Sequence, residues 1–198
     1  MDSKHITLGL AAILGVGGLV AAGLYFYIPV EEEQQTPAPE VHEEPTQATF
    51  NSTELGLMFN YPSTYTLKTD ERGLTDRMWT TIVLIDSELL RQAIENDAPE
   101  DAPAITVQIF SNPEDYTVEE WIKNLPYSYY KLSPDEVLSP TTVGGDQALS
   151  YRHSGLYENN ATVAAHGGKM YMFSVGWLTP QDEQIHDFEH LLETVSFY

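Results

Sequence analysis

Residues 50–198 predict an α+β domain, an antiparallel β-sheet flanked by helices. Three observations lead there. Short runs rich in Val, Ile, Tyr and Phe recur along the segment, several of them parted only by tight turns. Two of those turns carry paired glycines, in "VGGDQ" and "HGGK", as antiparallel hairpins require. Three helical patterns are interspersed at irregular places and supply cover for the sheet.

Taken in order, "LGLMFNYP" alternates, with Leu57, Phe59 and Tyr61 on one face and Met58 and Asn60 on the other, a half-buried strand. Pro62 cannot continue a central ladder, and Pro-Ser-Thr supplies a turn before a second strand that opens with Tyr65 and Leu67. "WTTIVLI" (79–85) is β-branched and apolar, a third strand. "DSELLRQAIEN" is a short helix capped by Asp86 or Ser87, and "DAPEDAP" after it is loop. "AITVQIF" (104–110) is a fourth strand. Thr117 and Glu120 form a capping box, opening a helix that carries Trp121 and Ile122 and stops at Pro126. "PTTVGGDQALSYRHSG" gives a strand, a turn at 144–146 and a strand through Tyr151. Residues 161–165 and 169–177 flank "HGG" as a hairpin. Thr179 and Pro180 cap the last helix, with Pro at its first position and Ile185, Phe188, Leu191, Leu192 and Val195 as its buried stripe. "VSFY" is an edge strand.

Ahead of the domain, residues 6–28 (ITLGLAAILGVGGLVAAGLYFYI) hold no charge. At ~1.5 Å rise per residue, such a helix crosses a ~30 Å hydrocarbon layer. The run is longer than a signal-peptide core and ends in Tyr25, Phe26 and Tyr27, residues suited to a membrane interface, before Pro29 stops the helix. An uncleaved signal anchor is expected, with cleavage near Ala21, Ala22 and Gly23 as the alternative. Lys4 is the only Lys or Arg before the span, and the next is Lys68. This sets residues 1–5 as a cytoplasmic head, a single pass through the cell membrane, and an extracytoplasmic domain. Small residues stand four apart at Ala11/Gly15, Gly17/Ala21 and Gly18/Ala22, a spacing that lets two spans pack as a homodimer. Residues 29–49, rich in Glu, Pro, Gln and Thr, read as a disordered acidic linker.

The 198 residues include 9 Lys+Arg against 30 Asp+Glu, a net charge of −21, of which the linker holds −6 and the domain −15. With no basic stripe, such a surface repels phosphate backbones and excludes nucleic acid as a partner. It repels anionic headgroups too and attracts cations. The absence of cysteine excludes disulfides, thiolate catalysis and Cys-ligated metal.

Several residues invite a chemical reading. His186 and His190 are i, i+4 on the last helix, a metal-ligand spacing, with Glu183 and Asp187 nearby, but positions 187 and 189 do not complete an HExxH motif. His166 in "HGGK" resembles an esterase oxyanion turn, yet the nucleophile elbow is missing and a hairpin needs the same glycines. His153 beside Ser154 has no orienting carboxylate in sequence and reads as a strand end. "ENDAPED" (95–101) lacks the ligand order of an EF-hand and reads as a solvated loop. Tyr127, Tyr129 and Tyr130 form either a binding patch or the alternation of an edge segment. Asn51 and Asn160 sit in glycosylation sequons.

In chain order, Phe59-x-Tyr61-Pro62 followed by Tyr65, then "TVEEWI", "TTVGGDQA", "YMFSV" and "FEHLLETVSF", resembles the PsbP-like domains. These share a fold with the photosystem II extrinsic protein PsbP and the Ran-binding Mog protein. The likeness spans residues 50–198 and is greatest to small membrane-anchored bacterial members. It implies an α/β/α sandwich around an antiparallel sheet, used mostly for non-enzymatic binding and assembly, with no family-wide catalytic residue to carry over. Neither an oxygen-evolving partner nor a Ran-binding motif is in evidence. The expected function is therefore a membrane-tethered binding or assembly module with an unknown protein partner. No catalytic, cofactor or metal residue is assigned. The alternative is a surface metal-dependent hydrolase using His186, His190 and neighbouring carboxylates.

Overall fold

A computed structural model describes residues 46–74, 77–98 and 102–198. The first strand, β1 (Gln47–Ser52), pairs antiparallel with β2 (Leu57–Pro62). Gln47, Ala48 and Thr49, expected in the linker, thus belong to a strand. The sequence there is polar, and Phe50, its one aromatic, is fixed by stacking on Phe59 at 5.0 Å. On the other side of β2 lies β10 (Ser196–Phe197), with Phe197 opposite Leu57, which makes a three-stranded sheet ordered β1-β2-β10.

The main sheet has seven strands. They are β3 (Tyr65–Leu74), β4 (Arg77–Asp86), β5 (Ile105–Ser111), β6 (Ser139–Val143), β7 (Asp146–Ser154), β8 (Glu158–His166) and β9 (Lys169–Trp177). Their order is β3-β4-β5-β9-β8-β7-β6, antiparallel throughout. The expected α+β class with antiparallel pairing is observed, but as two sheets where one was expected. The change of sheet occurs at the Pro-Ser-Thr step. Pro62 ends β2, the Ser63 N–H donates to the Thr46 carbonyl at 2.8 Å, and the Ser87 N–H donates to the Thr64 carbonyl at 2.9 Å. The turn therefore hands the chain from one ladder to another, which local alternation cannot reveal.

Both faces of the main sheet are buried. On one, Ile82, Leu84, Val107, Tyr171 and Phe173 pack with Leu57 and Phe59 of the small sheet and with Phe188, Leu191 and Val195. On the other, Phe110, Tyr151, Val163, Met170 and Met172 pack with Trp121 and Ile122. Strand β9 sits between two other strands of the sheet and serves both cores, Met170 and Met172 pointing one way and Tyr171, Phe173 and Val175 the other. That is why "MYMF" is apolar on both sides of the strand, while Ser174 after it pairs its hydroxyl with that of Thr106 at 2.7 Å.

Among the described residues three α-helices accompany the sheets: α1 (Ser87–Glu95), α2 (Val118–Asn124) and α3 (Glu183–Thr194). Asp86 rather than Ser87 caps α1, accepting from the Glu88 and Leu89 N–H groups at 3.0 Å each. The capping box of α2 forms as expected, with Thr117 Oγ1 accepting from the Glu120 N–H and Glu120 returning a bond to the Thr117 N–H. Helix α3 starts at Glu183, after the expected Thr179-Pro180 start. The Asp182 carboxylate accepts from the Leu178 N–H (2.7 Å), the Thr179 N–H (3.1 Å) and Thr179 Oγ1 (2.5 Å), so residues 178–182 are held as a turn. One consequence is that Gln184 is buried near the start of the stripe while Ile185 is only half-buried. Among the described residues no helix is long and apolar enough to cross a membrane. The expected head, anchor, dimer-packing residues and most of the linker lie outside the described residues.

Candidate binding site

The same step that moves the chain between sheets builds a cavity of about 580 Å3. Pro62 and Thr64 reach it from the turn, and Tyr65 from the first position of β3. Asp86 and Leu89 line it from the start of α1, Pro103 from the loop before β5, and Leu178, Asp182, Glu183, Gln184 and Asp187 from the turn into α3 and its first residues. Tyr65 faces Asp86 across the β3–β4 ladder, so the end of one hairpin and the start of α3 close on a common point.

Among the described residues the lining holds four carboxylates and neither Lys nor Arg. Two carboxylates are fixed by the backbone: Asp86 as the cap of α1 and Asp182 in its turn. The Thr179 hydroxyl, then the Leu178 and Thr179 amides, hold the Asp182 carboxyl below its usual range. Asp187 accepts from the Tyr65 phenol at 2.7 Å. Burial first, then that bond, then the charges of Asp187, Asp86 and Glu183 push the Tyr65 phenol above its ordinary range, so it stays a donor. Gln184 is 7% exposed. Its Nε2 donates to the Gly176 carbonyl at 2.8 Å, which orients the amide, and its Oε1 receives no hydrogen bond. Leu178, 67% exposed, and Leu89 set apolar surface beside these acids.

The residues singled out in the sequence are scattered. His186 and His190 are both exposed on α3, and His190 Nδ1 lies 3.4 Å from Glu193 Oε2. Among the described residues, no three of His, Asp and Glu gather as a metal would need. His166 Nδ1 lies 2.7 Å from Asp146 Oδ2, and its ring stacks on Phe197 at 5.0 Å. His153 is a buried residue, with neither ring nitrogen hydrogen-bonded. Burial holds its pKa down to about 4, the nearby Glu158 charge opposing this. Its ring is covered by Tyr129 at 5.5 Å.

The three tyrosines are not in an edge strand. They lie in and between two single-turn 3-10 helices, Pro126–Ser128 and Tyr130–Leu132, because Pro126 breaks the chain out of α2 and Tyr129 adopts a left-handed backbone (φ 56°). Tyr127 packs on Trp79 and Phe110, Tyr130 meets the Tyr151 ring edge-on, and Tyr129 alone is largely exposed. Asn51 is exposed on β1, where its Oδ1 accepts from the Tyr198 hydroxyl at 2.9 Å. Asn160 is half-buried on β8, with its Oδ1 turned to Trp177 Nε1 at 3.4 Å. Residues 99–101 of the acidic loop lie outside the described residues.

Sequence reasoning noted Glu183 and Asp187 beside His186 and His190, and in the structure both acids line this cavity. It missed Tyr65, Asp86, Asp182 and Gln184 as members of one cavity. The available signal was the Tyr-Pro-Ser-Thr-Tyr run, whose proline marked a change of direction without saying toward what.

No protein-family model matches the chain, nor does any curated sequence. Among solved structures, the fold is similar to that of cyanobacterial PsbP (CyanoP) from Synechocystis, with a TM-score of 0.49 and 17% identity, covering 82% of this chain and 99% of that one. It is also similar to a Bacteroides thetaiotaomicron protein (TM-score 0.47, 12% identity, 76% of this chain and 48% of that one). A third likeness is to LpqN of Mycobacterium tuberculosis, described as involved in cell envelope biogenesis (TM-score 0.39, 15% identity, 78% of this chain and 86% of that one). The first bears the name of the family that the sequence resembles. At these identities neither activity nor partner passes to this chain.

Proposed function

We propose that this chain is a membrane-tethered, extracytoplasmic binding or assembly module, held by residues 6–28 and spaced from the bilayer by the residues between that segment and β1. The globular domain acts by holding a partner. The observation that carries this reading is the acidic cavity, whose carboxylates are set as fixed hydrogen-bond acceptors: Asp86 caps a helix, Asp182 ties a turn and Asp187 holds a phenol. Held in place before anything binds, these groups offer a preorganised acidic wall to a partner. The sequence resemblance to PsbP-like domains points the same way.

The test is crosslinking in intact cells with the full chain, followed by identification of what is captured. A discrete, reproducible neighbour is the expected outcome. An uncrosslinked chain that turns over members of a generic ester panel would replace this reading with an enzymatic one. Protease added to whole cells is expected to remove the domain without lysis, and protection until lysis would overturn the placement.

A further inference from the structure

We infer that the outer edge of β3 pairs antiparallel with the same edge of a second copy of this chain, centred on Thr69. The inference is independent of the binding-module reading and uses a different surface, residues 66–72.

The main sheet ends in β3 on one side and β6 on the other. A strand edge presents unpaired backbone donors and acceptors, and proteins blunt such edges with proline or by keeping them short. β6 uses both devices, with five residues and Pro140 among them. β3 uses neither, running for ten residues without proline. Its bonding phase is fixed where the Ser87 N–H donates to the Thr64 carbonyl at 2.9 Å, one step before the Tyr65–Asp86 pair. In an antiparallel ladder alternate residues bond to the same neighbour. Thr66, Lys68, Asp70 and Arg72 therefore bond to β4, and the N–H and C=O groups of Leu67, Thr69 and Glu71 point outward. Residues 68–73 are all exposed.

Charge is the remaining edge guard, and on β3 it selects a partner. A two-fold axis at Thr69 sets Thr69 opposite Thr69, Leu67 opposite Glu71 and Lys68 opposite Asp70, each unlike pair occurring twice. The outward backbone groups of the two copies then meet as hydrogen-bonded pairs. Arg72, 3.2 Å from Asp70 on its own strand, adds a cation to the same row, so the sign alternates along the seam. Opposite charges facing each other across a ladder stabilise it and like charges destabilise it. Shifting the centre to residue 68 sets Lys68 on Lys68. A centre at residue 70 sets Asp70 on Asp70 and Lys68 on Arg72, and one at residue 71 sets Glu71 on Glu71. Beside the row lies a cavity of about 830 Å3 walled by Lys68, Asp70 and Arg72 together with Val83 and Ile85. Thr66 is paired with Ile85, and in the Thr69 register Thr66 faces the Arg72 of the second copy, whose hydrocarbon stem finds apolar ground there.

The chain has no cysteine, so a single introduced thiol reports contact without background. The experiment oxidises full-length Thr69→Cys with copper phenanthroline over a dilution series, in detergent with micelles in excess of chains. Residues facing each other in a hydrogen-bonded pair have Cα atoms ~5.5 Å apart, within disulfide range. Thr69→Cys is expected to link, and Thr141→Cys, exposed on the opposite edge, should link to less than about a fifth of that extent. Equal linking at both would assign the contact to collision and overturn the edge pairing, as would no linking at Thr69. In the Thr69→Cys chain, Asp70→Lys sets an ammonium opposite Lys68 and should weaken dimerisation about tenfold or more, although it lowers the net negative charge. Tighter association in that variant would reduce the effect to bulk charge and overturn the proposal. Lys68→Glu should weaken dimerisation similarly. Lys68→Glu with Asp70→Lys restores opposite signs across the seam and should return to within about threefold of the parent, and a double variant no better than the singles would overturn the register. All these positions are exposed, and circular dichroism checks the fold. Sedimentation velocity of the cysteine-free charge variants in the same micelles should give the same ranking, and identical masses throughout would overturn it. The in-cell crosslinking test seeks a different protein, so either outcome leaves the module reading to be judged on its own.

Discussion

The Tyr65 phenol donates to the Asp187 carboxylate at 2.7 Å across 122 positions of sequence, joining the first residue of β3 to the middle of α3. This one bond ties the edge of the main sheet to the helix that covers it. Replacing Tyr65 with Phe keeps the ring and removes the donor. A hydrogen bond to a charged, part-buried group is worth about 1–2 kcal/mol, and urea unfolding of Tyr65→Phe at neutral pH should show a loss of that order. Asp187→Asn should lose less, since it still offers an acceptor.

The same phenol makes stability depend on alkaline pH. Tyr65 and Tyr151 both ionise above the ordinary tyrosine range, each chiefly because of burial. A group whose folded pKa is raised contributes stability that is full below the unfolded value, about 10, and is lost as pH climbs beyond it. Unfolding free energy should therefore fall from about pH 10 upward, and Tyr65→Phe should flatten that fall. An alkaline limb unchanged in the variant would show that Tyr65 contributes none of it.

His153 has the opposite sign. Its folded pKa is depressed from 6.5 to about 4, principally by burial, so the native state favours the neutral ring. The contribution is full above the unfolded value and is lost as pH falls from about 6.5 toward 4, at most about 2–3 kcal/mol. His153→Phe removes the titration and leaves an aromatic ring beneath Tyr129. Measured by urea unfolding at pH 7.5 and 4.5, the variant should gain on the parent at the lower pH. A difference independent of pH would contradict the burial argument.

Gly144 and Gly145 form the turn between β6 and β7, both with positive φ (58° and 88°). A Cβ on Gly144 would stand 2.6 Å and 2.8 Å from two atoms of the Phe197 ring, while one on Gly145 meets nothing within 4 Å. Both alanine variants carry backbone strain of ~1 kcal/mol or more. Gly144→Ala must also displace Phe197 from its contacts with His166 and Tyr171, adding about 1–3 kcal/mol. Gly144→Ala should therefore be the less stable of the two, and hydrogen exchange at the β10–β2 pairing should accelerate in it alone.

Helix α2 rests on a cap and an anchor. Thr117→Ala removes the side-chain half of the capping box and should cost about 1 kcal/mol. Trp121, fully buried against Phe110 at 5.1 Å, should cost about 3–5 kcal/mol when cut to Ala. Trp121→Phe should cost much less, because the indole N–H it removes has no hydrogen-bond partner. Chemical denaturation of the three variants gives the ranking directly.

Legibility in the sequence followed the range of the interaction. The capping box, the Gly-Gly turns and the span of β9 are set within a few residues and are legible in them, while the sequence leaves the cap of α1 open between Asp86 and Ser87 and the structure chooses Asp86. The start of α3 was misplaced because Asp182, beyond the proline that marked the expected start, takes the donors at Leu178 and Thr179 into a turn of its own. β1 was missed because its pattern is polar but for Phe50, whose partner Phe59 lies on another strand. His153 stands at the end of β7, as its sequence context indicates, whereas its burial depends on the Tyr129 ring that covers it from another segment.

By itself, then, the sequence determined the class of the domain, the strands and helices with strong local patterns, and the strong excess of acidic over basic residues. Only the tertiary structure decided that Pro62 separates two sheets, and that Tyr65, Asp86, Asp182, Gln184 and Asp187 share one cavity. The physical reason is that periodicity and caps are encoded between near neighbours, whereas a cavity depends on which distant segments pack together.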